Sequence, residues 1–306
     1  MRIAFLCPGQ ASQKVGMGFD LYKNTTLGKQ YFDRANDIMD VDIQEIVFNG
    51  PENILKQTQY TQPAIYIVSV IIGLLMMEKG IQPSCAAGHS LGEYSALTLA
   101  KSFDFETGLK LVKVRAEGMQ NAGSQYPGTM AAVIGLDDKT TQEICEQYSN
   151  GIVVAANFNT QGQVVISGEV GAVRAVMPLM KEAGAMKVVE LNVSGAFHSP
   201  LMNSAKEVLS EMLLSIEIRD SEIPVYANVT ASPVSSADKI RQSLIDQLEN
   251  PVRWHESITR LMKDGVTHAV EIGPGRVLQG LSRRIDRSLD MSGVESLEQI
   301  VNFAYV

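Results

Sequence analysis

The 306-residue chain is 45% hydrophobic and 20% charged, with 26 basic against 34 acidic side chains and a net charge of −8 at pH 7. That balance suits a soluble globular enzyme and excludes the basic footprint of a nucleic-acid-binding protein or one bound to an anionic membrane. The length is at or above the size where a single core stops growing, so one large domain with an insert, or two domains, is expected.

In chain order, Arg2 to Cys7 reads as a first strand that stops at Pro8-Gly9, and Gln10-Ala11-Ser12-Gln13 forms a polar loop at the strand end. The apolar stretch at the N-terminus is too short for a signal peptide. Cys7, Cys85 and Cys145 lie far apart and leave an odd one, which points to a reducing compartment and a cytoplasmic protein. No metal-ligating pattern appears. Phe32 to Val47 and Pro51 to Gln57 read as helices, and Gln62-Pro63 opens a third. Its apolar stretch, Ala64 to Met77, has the length of a buried core helix rather than the roughly 20 residues of a membrane span.

Gly88, Ser90 and Gly92 give the spacing G-x-S-x-G, preceded by the small apolar run Cys85 to Ala87 and followed by a helix-forming stretch to Ala100. Such a strand–turn–helix bend pushes a serine hydroxyl out of the top of an α/β sheet, and glycine on either side spares the turn a collision. Ser90 is therefore the candidate nucleophile. In the next helix, about Glu106 to Met119, Arg115 falls on the apolar side, flanked by Leu111, Val112 and Met119. An arginine there ordinarily covers core with its stem, yet with no acidic neighbour one turn away its guanidinium needs a carboxylate from elsewhere.

From Gly128 to Leu191 the elements shorten. Thr129–Ile134, Ile152–Ala156, Gln163–Ser167 and Lys187–Leu191 read as strands, with helices at Lys139–Tyr148 and Val170–Ala183. This β-α-β-β-α-β order is the ferredoxin-like arrangement, placed inside a larger α/β pattern as an insert. Ser199 then caps a helix beginning at Pro200, with His198 just before it. A helix to about Leu214, a strand at Pro224–Val229, helices at Ile240–Leu248 and His255–Lys263 and a strand at His268–Ile272 complete the pattern. The missing heptads leave a monomer as the expectation.

A serine needs a base, and of the four histidines His198 alone stands in an interdomain loop, which makes it the candidate. For the acid of a triad, Glu190 and the residues near Asp137 are open, and nothing singles one out. The backbone N–H of Leu91 is the expected oxyanion donor, with a second from another strand-end loop, most naturally that of Gln10.

Pro8-Gly9-Gln10-Ala11-Ser12-Gln13, Gly88-His89-Ser90-Leu91-Gly92-Glu93, Arg115 with Met119, Asn157-Phe158-Asn159 before Gly162–Gly168, Phe197-His198-Ser199, Gln247 with Asn250–Trp254, and Glu271–Gly275 together resemble the malonyl-CoA:acyl carrier protein transacylases almost end to end. The resemblance implies an α/β fold in which an α/β-hydrolase-like large subdomain, residues 1–125 and 198–306, carries a ferredoxin-like small subdomain, residues 126–197. It implies that Ser90 takes malonyl from malonyl-CoA and passes it to the phosphopantetheine thiol of acyl carrier protein, with no cofactor. His198 would act as base and then acid, and Gln247 would orient it through its main-chain carbonyl. The amides of Gln10 and Leu91 would hold the oxyanion, Arg115 would clamp the malonyl carboxylate, and Asn157 would line the cleft. Phe197 resembles the malonyl-selecting form of its segment and disfavours branched extenders. An acetyl group would leave Arg115 buried and unpaired. Cys7 and Ala11 stand where the family usually has an aromatic residue and a glycine, so the Gln10 loop is expected to be set slightly differently.

Two rival readings are a serine acyl hydrolase, in whose proofreading relatives the arginine is typically absent, and a carrier-docking module, which an intact Ser90, His198 and Gln10 oppose. Whether the carrier serves fatty-acid or polyketide synthesis stays open. The run Arg283, Arg284 and Arg287 could meet an acidic carrier, although such runs are ordinarily solvated faces.

Overall fold

The computed structural model describes residues 2–304. Two sheets organise the chain. The strands in order are β1 (Ile3–Cys7), β2 (Cys85–Gly88), β3 (Gly128–Ile134), β4 (Val153–Thr160), β5 (Gln163–Glu169), β6 (Lys187–Glu190), β7 (Val225–Ala227), β8 (Ser232–Val234), β9 (His268–Ile272) and β10 (Asp290–Val294). Six of them form a sheet in the order β10-β9-β1-β2-β7-β8, parallel throughout except for the last pair. The other four form an antiparallel sheet in the order β4-β5-β3-β6.

The central strand of the large sheet is buried on both faces, which is why it reads as an unbroken apolar run. Ile3, Phe5 and Cys7 face a core built around the helix Thr58–Glu78, while Ala4 and Leu6 face Trp254, Ile258, Leu278 and Leu281. By length and composition Thr58–Glu78 could cross a membrane, but 78% of its most apolar window lies inside the molecule. The small sheet is covered on one side by the helices Asp138–Gln147 and Val170–Glu182, which pack Cys145, Val173, Val176 and Met180 onto Ala131, Val133 and Ile166. Its other side turns Met130 and Val165 toward the large sheet.

The β-α-β-β-α-β order expected between Gly128 and Leu191 is present, with boundaries displaced by a few residues. Elsewhere three expectations need correction. Phe32–Val47 is two helices, Thr26–Met39 and Ile43–Phe48, because Asp40 takes the left-handed conformation (φ 56°) and Asp42 caps the second helix by accepting from the Glu45 N–H. Pro51–Gln57 shrinks to the single turn Glu52–Leu55. The apolar helix starts at Thr58 rather than at Gln62-Pro63, since Pro63 in its second turn removes only one ladder bond. β8, β10 and the helices Val277–Ile285 and Leu297–Asn302 are additional elements.

Strand pairing sets up the site. Cys7 of β1 lies level with Gly88 of β2, so the chain three residues on from each, at Gln10 and Leu91, emerges side by side at the carboxyl ends of the strands. β4 is irregular between Ala155 and Asn157, and there it joins the large part of the molecule: the Val252 N–H donates to the Ala156 carbonyl and the Phe158 N–H to that of Val252.

Candidate active site

The Ser90 bend is as sharp as its glycines suggest. A Cβ on Gly88 would run into the backbone of Gly92 and Glu93, and one on Gly92 would run into the carbonyl of Cys7. Ser90 itself is held at φ 52°, a left-handed conformation uncommon for a residue with a side chain, and the helix Gly92–Leu99 follows. Its Oγ lies 2.8 Å from His198 Nε2, and His198 Nδ1 lies 2.9 Å from the main-chain oxygen of Gln247. A carbonyl only accepts, so Nδ1 carries the proton and Nε2 is left bare to receive the serine's. Burial, reinforced by the positive charge of Arg115, lowers the His198 pKa to about 3 and keeps the ring neutral in the resting enzyme.

Arg115 is fully buried, as its place on the apolar helix side suggested. Its Nη2 donates to Ser90 Oγ at 3.0 Å and to Gln247 Oε1 at 2.9 Å, its Nη1 to Gln62 Oε1 at 2.5 Å, and its Cζ lies 5.5 Å from the centre of the Tyr94 ring. The expectation that it stands unpaired without a substrate carboxylate is thus only half met: neutral oxygens satisfy the ends of the fork, while Nε has no partner. Gln62 and Gln247 lie 53 and 132 residues away in the chain, so their convergence leaves no mark in the local sequence.

The nearest carboxylate is that of Glu93, one amide away. Gln247 Nε2 donates to Glu93 Oε2 at 2.7 Å and to the Ser90 carbonyl at 3.0 Å. Because both acceptors claim the nitrogen, the oxygen of that amide must face the arginine. Burial pushes the Glu93 carboxyl up to about 7, against the opposing pull of its hydrogen bonds and of Arg115. Glu93 also accepts the N–H of Asn228 at 3.1 Å, and the Asn228 side chain reaches the bend itself: Oδ1 accepts the Ser90 N–H at 2.7 Å and Nδ2 donates to the Gly88 carbonyl at 2.6 Å. Neither residue was singled out for a role by sequence reasoning, although Glu93 sits inside the serine motif.

Among the described residues no backbone carbonyl accepts the N–H of Gln10 or of Leu91. Ala11 adopts φ 84°, so the bend a glycine would make is made with a Cβ in place. A cavity of about 260 Å³ opens over Ser90, between the strand-end loops and the inner face of the small sheet. Gln10, Leu91, Asn157, Phe197 and His198 line it; Arg115 and Gln247 do not, and reach Ser90 through its Oγ and its carbonyl. His89 lines it too, but its Nε2 is bonded to Asn159 Oδ1 at 2.8 Å, so His198 is the histidine bonded to the serine hydroxyl. Of the triad acids left open, Glu190 is engaged with Arg174 at 3.0 Å, and a carbonyl stands where an acid would.

Comparisons with known proteins cover nearly the whole chain. The acyl transferase domain family matches residues 4–300. The malonyl CoA-acyl carrier protein transacylase of Bacillus subtilis is 40% identical over 301 residues, 98% of this chain and 95% of that protein. The acyl-carrier-protein S-malonyltransferase of Bartonella henselae superposes with a TM-score of 0.94 at 38% identity, covering 98% of each chain. A malonyl-transacylase solved in complex with its type II PKS acyl-carrier protein gives 0.94 at 40% identity, with 98% of each chain covered.

Proposed function

The chain belongs to the acyl transferase domain family, and from that premise we propose that it carries malonyl from malonyl-CoA to the thiol of an acyl carrier protein through a malonyl-serine. The observation that carries the reading is the buried guanidinium 3.0 Å from the serine oxygen. Malonyl differs from acetyl by one carboxylate, and a planar fork beside the nucleophile is the group that recognises it. The acceptors that hold the fork are neutral amides and a hydroxyl, which leaves its positive charge for a substrate carboxylate.

In this mechanism Ser90 Oγ attacks the thioester carbonyl as His198 Nε2 takes the hydroxyl proton. The carbonyl oxygen gains negative charge under the free N–H groups of Gln10 and Leu91, the arrangement that lowers such a barrier most. The C–S bond then breaks, and His198 returns its proton to the coenzyme A sulfur. In the second half the carrier's phosphopantetheine thiol gives its proton to His198, attacks the ester, and the proton ends on Ser90. The Gln247 carbonyl holds the imidazole in the required tautomer throughout. Asn157 and Phe197, on the cavity wall, would frame the acyl group.

The finer description of the fold belongs to the same proposal. We read the large part, residues 1–125 and 198–306, as α/β-hydrolase-like and the insert, residues 126–197, as ferredoxin-like, supported by the parallel and antiparallel sheets they contain. Three buried free thiols fit the cytoplasm. The deciding test is intact-protein mass after mixing with malonyl-CoA, followed by holo-acyl carrier protein. The wild type should gain a malonyl adduct that the carrier removes faster than water does, and Ser90→Ala should gain none. Absence of an adduct, or loss to water at the same rate with and without carrier, refutes the reading.

A further inference from the structure

We propose that Asn228 is a positioning residue for the nucleophile: its carboxamide bridges Gly88 and Ser90 and holds the serine in its left-handed turn. It stands directly after β7, the strand paired in parallel with β2 through Ala86 with Val225 and Ala87 with Tyr226, and so beside the bend. The residue is 1% exposed, and all four of its polar groups are used. Its main-chain oxygen accepts the Arg253 N–H at 3.0 Å and its main-chain N–H is bound by Glu93, so the residue is fixed at its backbone. The Gly88 carbonyl only accepts and the Ser90 N–H only donates, so the carboxamide has one allowed orientation.

A serine at φ 52° sits in a conformation that a residue with a Cβ disfavours. Two hydrogen bonds from one rigid amide hold it there by fixing the two peptide planes that flank His89 and lead into Ser90. The plane after Ser90, which carries the Leu91 N–H, is held separately by Gln247 Nε2 at the Ser90 carbonyl, so the Asn228 clamp acts on the placement of the nucleophile relative to His198.

The inference rests on Ser90 being the nucleophile, and its test uses a probe that needs no malonyl. The second-order rate of Ser90 labelling by a fluorophosphonate is measured alongside kcat and KM for malonyl transfer. Asn228→Ala should slow labelling and lower kcat by roughly ten- to a hundredfold, while KM moves by less than about threefold. Asn228→Asp keeps an acceptor for the Ser90 N–H but turns a second oxygen toward the Gly88 carbonyl. Protonating that carboxyl restores a donor, and its buried position raises the pH at which this happens.

The labelling rate of Asn228→Asp relative to wild type should therefore climb about tenfold or more between about pH 8 and about pH 5. The charged and titratable groups around the site are Glu93, His198, Arg115 and His89. His198 stays neutral over this range because its pKa is lowered to about 3; Glu93, bonded to the residue 228 N–H, couples to the new carboxyl, so the ratio is measured in a Glu93→Gln background, which isolates position 228. A residue that merely fills space would give no acid rescue. A flat ratio overturns the proposal, as does kcat within threefold of wild type in Asn228→Ala. Should the alanine variant not fold, the aspartate series decides. A wild type that the probe fails to label at Ser90 would instead refute the choice of nucleophile.

Discussion

Replacing Arg115 with alanine separates two jobs that the geometry allows it. Its guanidinium touches Ser90 Oγ at 3.0 Å, so it could serve the nucleophile, and its other acceptors are neutral amides, so its charge could serve the substrate's far carboxylate. Hydrogen bonds to charged groups contribute roughly 1.5–3 kcal/mol each, so a two-pronged hold on a carboxylate comes to about 3–6 kcal/mol, or roughly 10² to 10⁴ in rate. An acetyl group has nothing for that hold to grip. Acylation of Arg115→Ala by malonyl-CoA should therefore fall by roughly 10² to 10⁴, and acylation by acetyl-CoA by less than about tenfold. Rapid-quench mixing with each thioester, read as intact-protein mass, gives both rates. Folding is checked in parallel, since truncation leaves the Gln62 and Gln247 oxygens without their donor while also removing a buried charge that has no direct counter-ion. If both acylation rates fall by one factor, the arginine serves the serine and the carboxylate clamp is wrong.

His198, with a pKa lowered to about 3, should show no imidazole titration between about pH 5 and pH 8 in carbon-labelled enzyme assigned with His198→Ala, and a midpoint near 6.5 would contradict the buried neutral base. The unfolded chain takes up that proton below about pH 6.5 while the folded one does not, so this residue's contribution to stability is lost as pH falls through that range, and His198→Ala should flatten the acid limb of the stability curve. Gly88→Ala should yield no enzyme that a fluorophosphonate can label at Ser90, since its Cβ would lie on the Gly92 backbone; wild-type labelling would show that the turn is looser than described. Burial raises the thiol of Cys85 to about 11, that of Cys145 to about 12 and that of Cys7 as well, so a thiol-exchange reagent at about pH 8 should find no reactive cysteine until the protein is denatured.

The parts legible in the sequence are those whose cause is local. The serine bend announces itself because sterics confine two positions to glycine, and the β-α-β-β-α-β order after Gly128 because alternating and helical periods follow one another over a short span. The break at Asp40 was missed because a left-handed residue followed by an aspartate cap carries little signal beside a continuous apolar period. β8 contains Pro233 and β10 contains Gly293, and both are edge strands whose existence depends on the neighbour they pair with. Arg115 was legible as buried but not as bonded, since its acceptors arrive from two distant helices. Asn228 and Glu93 were silent for the same reason.

The composition of that network has its own logic. Around Ser90 and Arg115 the structure places carboxamides, from Gln62, Gln247 and Asn228, and behind His198 it places a carbonyl where a hydrolase would keep an acid. A carboxylate in that last position would lie near a buried guanidinium in a poorly screened interior, and the two would pair. On the proposed role of Arg115, the anchor for an incoming carboxylate would then be occupied before substrate arrived. Glu93 is the one acid near, and the Gln247 amide stands between it and the arginine, passing on orientation while keeping the charges from closing into an ion pair. Orienting the base with a neutral dipole therefore leaves the positive charge available, and a site that must recognise an anionic acyl group is constrained to do so.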